Sequence, residues 1–437
     1  MSLSALKRRR RQVFYGWWMV TLGGFIGSLN KTAFNKGFPV FILPVQEAFD
    51  TSRATVSFVF SLSRSESGPT GPLAGWLIDR YGPRAILFVG AAMTGAGFLL
   101  LARMPNIWSF AVVYLGVITT GSNMGFSYSL STLVNNWFHR RKGLAMSSYQ
   151  AIDSFLPAFL VSVVALSIAH WGWRFTSTVI GIILLGVILP LSFFIKNTPE
   201  GMGLTMDGGP MRTEEGQPRD IRASGAMWQP SDDYGVVEAM RSPAFWMLNA
   251  ATALRLAAKG GVILHIIPIL VSKGTDKQTA AYMLSLFLFV SVPWYLIVGW
   301  LADRFSKNLV LAAASVSGAL SFAVLASPFK SLWVFPAFIL LFAVADASAP
   351  TNWAVLGDYF GRKTFSQLRG WVQLVNFPLV LVAPVFVGWW YDRHGSYTAP
   401  LWIFTIVFGL AALTFVVMRK PRRAILSLIH TGVVKGG

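Results

Sequence analysis

The chain has 437 residues, of which 54% are hydrophobic, 14% aromatic and only 13% charged, with 37 Lys and Arg against 18 Asp and Glu, a formal +19. Soluble domains carry about 25% charge and disordered chains are poor in aromatics, so neither an ordinary soluble enzyme nor a disordered chain fits. Zero cysteines remove disulfides, thiolate metal sites and cysteine nucleophiles; with no paired histidines, Walker loop or nucleophile elbow, no metal, no cofactor and no enzymatic activity are expected.

Crossing about 30 Å of hydrocarbon takes about 20 helical residues. In chain order, the basic run Lys7 to Arg11 precedes apolar stretches over 15–44, 54–78, 85–103, 107–136, 142–169 and 173–195. After a polar interval, six more cover 243–272, 278–302, 308–327, 331–357, 366–390 and 398–418. The first lacks a small-residue cleavage site and reads as a retained span, not a signal peptide. The pattern predicts an all-α membrane protein of twelve transmembrane helices arranged as two pseudo-symmetric six-helix bundles. The N-terminal bundle covers 1–195, a linker 196–241, and a C-terminal bundle with a basic tail 242–437. The linker composition predicts a flexible segment with a short amphipathic helix near Tyr234–Met240. Lys and Arg concentrate in alternate loops, at Arg80/Arg84, Arg140/Arg141/Lys142, Arg304/Lys307, Arg362/Lys363 and the tail after Arg419. By the positive-inside bias both termini are cytoplasmic and the protein sits in the cytoplasmic (inner) membrane, its basic tail against anionic lipid.

Gly75-Trp76-Leu77-Ile78-Asp79-Arg80 recurs as Gly299-Trp300-Leu301-Ala302-Asp303-Arg304, an offset of 224, and Trp137 to Lys142 has an echo in Tyr359 to Lys363, an offset of 222. Two landmarks with nearly one offset indicate a duplicated six-span unit, the organisation of transporters whose halves rock about a midplane site. The stretch Gly75-Trp-Leu-Ile-Asp79-Arg80-Tyr-Gly-Pro-Arg84 resembles the loop signature of the major facilitator superfamily. Gly75 permits close helix approach, and Asp79, Arg80, Arg84, Asp303 and Arg304 are expected to form a charged latch that is broken and remade during transport. Tyr15 to Val20 followed by Ala33 to Phe41 is similar to the monocarboxylate-transporter and oxalate:formate-antiporter branch, and that resemblance assigns Lys36 a role in holding a substrate carboxylate. The branch's span-8 Asp and Arg have no counterpart here, where Ser291 to Gly299 is uncharged.

A charge at mid-membrane costs about 2.5–3.5 kcal/mol on insertion scales and marks function. Lys31 and Lys36 in span 1, Arg64 in span 2, and Arg255 and Lys259 in span 7 are read as anion ligands. Arg255 and Lys259, four apart on one helical face, would oppose the span-1 lysines across the repeat axis and clamp one anion between the halves. Tyr128, Trp294, Tyr295 and Asn376 are expected to complete the site, with Phe287 and Phe289 as an apolar wall. Glu66, Asp153 and Asp346 are the candidate proton carriers. His265 is placed at an outer gate. Arg369 is read as interfacial, because Arg369-Gly370 matches Lys142-Gly143 at a helix start.

An excess of buried cations favours a secondary transporter of a small organic anion, a carboxylate, working by alternating access with proton symport or anion exchange. The expected partners are that anion, protons or a counter-anion, and the bilayer, with no nucleic acid and a monomeric state. The alternatives are an organophosphate or dicarboxylate exchanger, a proton-coupled drug efflux pump, and a transporter-like receptor.

Overall fold

The computed structural model describes residues 14–51, 59, 62, 63, 67–208, 233–328 and 333–421. In lipid every backbone N–H and C=O must be satisfied within the protein, and the apolar stretches accordingly fold as helices. Among the described residues nine helical stretches are long and apolar enough to cross a bilayer, and one of them, Lys142–Ser192, makes two crossings. Its chain reverses at Gly172, whose φ of 80° only glycine adopts freely. Span 1 (Tyr15–Asn30, extended by a π-helical turn over Lys31–Lys36) and the described part of span 2 (Ser67–Tyr81) complete twelve.

The second six are Pro243–Ser272, Lys277–Arg304, Lys307–Ala326, the pair Val334–Ala347 and Ala349–Phe360, Phe365–His394, and Thr398–Val417. Three irregularities fall where polar side chains gather. Span 1 ends in its π turn, span 4 carries π segments at Tyr114–Thr119 and Asn123–Tyr128, and span 10 breaks at Ser348. Such π bulges concentrate at functional sites because they free carbonyls from the i→i−4 ladder.

The two halves pack together at the end that bears Asp79 and Asp303, called here the basic end. Span 2 lies on span 11 and span 5 on span 8, and both crossings depend on glycine. A Cβ on Gly370 would collide with the Gly71 carbonyl, and one on Gly75 with the Ser366 carbonyl; Gly143 and Gly299 face each other in the same way. Asp79 accepts hydrogen bonds from the backbone N–H of Ser366 (3.3 Å) and Gln367 (3.0 Å), while Asp303 accepts from Gly143 (2.8 Å) and Leu144 (2.9 Å). Each carboxylate thus caps the positive N-terminus of a helix in the opposite half. Lys142 adds an ion pair across the interface to Asp358 (3.1 Å), which also binds Lys307 (2.9 Å). Burial pushes the Asp79 carboxyl up to about 7, against the pull of its hydrogen bonds.

Two expectations need correction. The arginines are not part of the latch: Arg80 lies over Trp76 (5.2 Å), Arg84 over Phe193 (5.7 Å) and Arg304 over Trp300 (4.6 Å), on aromatic surface rather than against carboxylates. Helix N-termini supply the positive partner instead. The linker, read as flexible, is tied down where it is described. Asp207 caps the turn after span 4 by accepting from His139 (3.1 Å) and Arg140 (2.8 Å), and Asp233 caps the equivalent turn after span 10 through Arg362 (2.7 Å) and Lys363 (3.2 Å). The short helix expected there runs Val236–Arg241.

Candidate functional site

The π turn of span 1 brings Lys31 to the interior, where its Nζ bonds the Asp153 carboxylate of span 5 at 2.6 Å and the Ser154 hydroxyl at 3.1 Å. Beside this pair lies a cavity of about 190 Å³ between the halves. Spans 1, 4 and 5 line it with Lys31, Asn35, Asn123, Gln150 and Asp153, and spans 10 and 11 with Trp353 and Arg369.

Arg369 is the residue that sequence reasoning misplaced. It is only 7% exposed, and its guanidinium donates to the Ser127 carbonyl (2.6 Å) and to the Ser131 hydroxyl on span 4 of the other half. Tyr128 and Trp353 hold it from ring faces at 5.0 and 4.8 Å, an arrangement that suits a weakly hydrated planar cation. Among the described residues no carboxylate pairs with it, and its Nε has no hydrogen-bond partner. The helix-start match that placed it at the interface was off by one turn. Asp303 caps Gly143 and Asp79 caps Ser366, so Gly143 is equivalent to Ser366 (offset 223), and Arg369 lies deeper than Lys142. Carrying the repeat offset through span 5 identifies that register from sequence.

On the other side of Trp353 is a smaller cavity, about 60 Å³, bordered by Arg255, Lys259, Asp346 and Asn352. Lys259 forms an ion pair with Asp346, whose second oxygen accepts from the Tyr295 hydroxyl at 2.9 Å. Arg255 donates to the Ala345 carbonyl (3.0 Å) and to the Ser348 hydroxyl, at the C-terminal end of the first half of span 10. A cation there is stabilised by the helix dipole and the unpaired carbonyls of the break. The clamp expected between spans 1 and 7 is therefore not formed: Arg255 stitches its own half together, and Lys31 shares its cavity with Arg369.

Lys36, exposed at the end of the π turn, interacts electrostatically with Asp346 across the halves. Tyr128 is buried beneath Arg369 and supports it without lining the cavity. Tyr295 anchors Asp346, but Trp294 packs on apolar core, Phe287 stacks on Phe342 (5.1 Å) and Phe289 is 61% exposed, so the apolar wall expected from span 8 does not face either cavity. Asn376 is 1% exposed, and neither amide atom has a partner among the described residues. His265 meets the Pro384 carbonyl at 3.0 Å. Arg64 and Glu66 lie outside the described residues. Around the two cavities stand five cations (Lys31, Lys36, Arg255, Lys259, Arg369) and two described carboxylates (Asp153, Asp346).

Comparison with known proteins agrees with this architecture. The chain is 25% identical over 408 residues to the MFS-type transporter YcxA of Bacillus subtilis (strain 168), covering 91% of this chain and 93% of that protein. It is 24% identical over 436 residues to monocarboxylate transporter 1 of Bos taurus, covering 91% and 84%. Among solved structures, the transporter FucP in its outward conformation superposes with a TM-score of 0.72 at 15% identity, covering 94% of this chain and 99% of FucP. The human organic anion transporter MFSD10 gives 0.68 at 14% identity, covering 91% and 98%. The Major Facilitator Superfamily profile matches residues 20–264 and 250–430, and with twelve spans in two halves around a cavity between them the chain belongs to that superfamily of membrane transporters.

Proposed function

We propose that the protein carries a small organic anion, a monocarboxylate, across the cytoplasmic membrane by proton symport, with the basic end facing the cytoplasm. The observation that carries this reading is Arg369: a buried guanidinium beside the larger cavity, held by two aromatic rings, with no carboxylate partner among the described residues. Its hydrogen bonds go to a carbonyl and hydroxyls. A buried charge left without a counterion is costly, and a visiting carboxylate supplies one, with the fork geometry that arginine favours. A lipophilic cation would meet repulsion at the same place. The monocarboxylate transporters among the relatives point the same way.

Proton coupling follows from Lys31 and Asp153. An anion approaching Lys31 competes with the Asp153 carboxylate, and a carboxylate stripped of its cation in a low-dielectric site is neutralised by a proton. Anion and proton then enter together. Positive residues at the basic end support its cytoplasmic placement.

The test is uptake of a radiolabelled monocarboxylate, lactate or acetate, by proteoliposomes, with and without an inward proton gradient. Uptake driven by the gradient and lost in Arg369→Gln is expected. Gradient-independent uptake that requires anion inside the vesicles would replace symport with exchange, and transport restricted to cations would overturn the anion reading.

A further inference from the structure

The smaller cavity, beyond Trp353 from Arg369, has donors that lack acceptors. Arg255 makes its hydrogen bonds through one nitrogen, Nη2, which donates to the Ala345 carbonyl at 3.0 Å and to the Ser348 hydroxyl. Its Nε is buried without a partner, and its Nη1 donates no hydrogen bond among the described residues. Nη1 is not sealed off as Nε is, so it opens on the cavity that Arg255 borders. Lys259, four residues on and on the same helical face, uses one of its three donors on Asp346. Both oxygens of Asp346, the carboxylate on this wall, are engaged, the second by the Tyr295 hydroxyl at 2.9 Å. Two cations thus face one carboxylate, an excess of one positive charge. Much of the remaining wall is apolar, from Leu256, Phe342 and Phe408, and Phe415 covers the guanidinium at 5.6 Å. A charge in such surroundings is costly until a counterion joins it.

We infer that this cavity is a halide site, in which chloride bridges Arg255 and Lys259 and neutralises the charge at the break of span 10. Its volume, about 60 Å³, is room for roughly two waters at about 30 Å³ each. That admits a monatomic anion and one water, and leaves no place for the chain of an organic acid. An apolar wall removes most of the ion's hydration, so chloride and bromide, which are weakly hydrated, are favoured over fluoride. All the residues around it belong to spans 7, 10 and 12. The ion therefore stays with the C-terminal half as the halves rock, as a fixed counterion and not as cargo, whatever the larger cavity carries.

The experiment is thermal unfolding of the purified full-length protein in potassium fluoride, chloride, bromide and acetate at one ionic strength. Exchanging fluoride for chloride or bromide is expected to raise the melting temperature by about 2 °C or more, against the general trend in which strongly hydrated anions stabilise. Arg255→Gln should abolish that rise and Arg369→Gln should keep it, which assigns the ion to the smaller cavity. Anomalous diffraction from bromide-soaked crystals of the unmodified protein decides independently of whether Arg255→Gln folds: a bromide between Arg255 and Lys259 is expected. Equal melting temperatures in the three halides, a rise that survives in Arg255→Gln, or bromide found only beside Arg369 would each overturn the inference. An equal rise in acetate that depends on Arg255 would make the cavity a second carboxylate subsite in place of a halide site.

Discussion

The two sides of Trp353 present similar chemistry used in different ways. Each has a lysine–aspartate pair and an arginine: Lys31, Asp153 and Arg369 on one side, Lys259, Asp346 and Arg255 on the other. Arg255 bonds only to its own half, at the break of span 10, whereas Arg369 reaches from span 11 to span 4 of the opposite half. A cation that stitches one bundle keeps its contacts when the bundles rock as rigid bodies. One that bridges them must exchange its contacts during the cycle, and an anion in the cavity competes for the same donors. On the anion reading proposed above, substrate and closure of the basic end would be linked through one side chain.

The largest effect should come from separating the arginines. Arg369→Gln should weaken anion binding by about 2–5 kcal/mol, the range for deleting one partner of a buried hydrogen-bonded charge pair, which corresponds to about thirtyfold or more in Kd. Arg255→Gln should leave the Kd within about threefold and instead lower the melting temperature, because Ala345 and Ser348 lose their donor at the helix break. Isothermal titration alongside thermal unfolding distinguishes the two; equal losses of affinity would show that both cavities hold substrate.

Next comes the interface that Arg369 bridges. Gly370→Ala places a methyl group against the Gly71 backbone carbonyl, which cannot yield as a side chain would. Overpacking of this kind costs about 1–3 kcal/mol, and only the closed basic end bears it, so the population should shift toward opening by about fivefold or more. Because the chain contains no cysteine, a single Thr132→Cys reports the change: Thr132 is 3% exposed and bonds Ser366 across the interface at 2.6 Å. Its labelling should accelerate in the Gly370→Ala background, and unchanged labelling would mean that the glycine contact is not specific to this state.

The Lys31–Asp153 pair should show a smaller effect. Removing one member of a buried pair costs about 3–5 kcal/mol, and Lys31→Gln should fall at or below the lower end because 22% of the lysine side chain is exposed. The double variant Lys31→Gln/Asp153→Asn should regain most of that stability yet lose proton-driven uptake. Recovery of stability together with retained coupling would move the proton to another carboxylate.

The spans were legible because apolar length is a strong signal: 398–418 was expected and Thr398–Val417 is observed. The duplication was legible in Gly75 to Arg80 and its copy, and Asp79 and Asp303 accept equivalent backbone hydrogen bonds from the opposite half. Which partner each charge takes was not. By the repeat offset of 224 Lys31 corresponds to Arg255, yet the lysine that pairs with an aspartate in the second half is Lys259, and the partners Asp153 and Asp346 lie on spans 5 and 10, which are not equivalent in the repeat. Arg369 was hidden for a related reason. An arginine four residues into a helix reads as a headgroup contact unless the start is fixed by its cap, and that cap, Asp79, is 287 residues away. Span 8 misled in the opposite direction, since aromatic residues near a motif pack on core or lipid as readily as on substrate.

The mildest expected effect is also at the basic end, where the two halves are held by equivalent caps. Asp79 accepts from the backbone N–H of Ser366 and Gln367, and Asp303 from Gly143 and Leu144. A carboxylate at a helix N-terminus contributes about 0.3–1 kcal/mol through its charge. Asp79→Asn keeps an acceptor oxygen and loses that charge, so labelling of Thr132→Cys should accelerate by about two- to fivefold, and the double variant Asp79→Asn/Asp303→Asn should accelerate it further. Unchanged labelling in the double variant would mean that the caps do not hold the basic end closed.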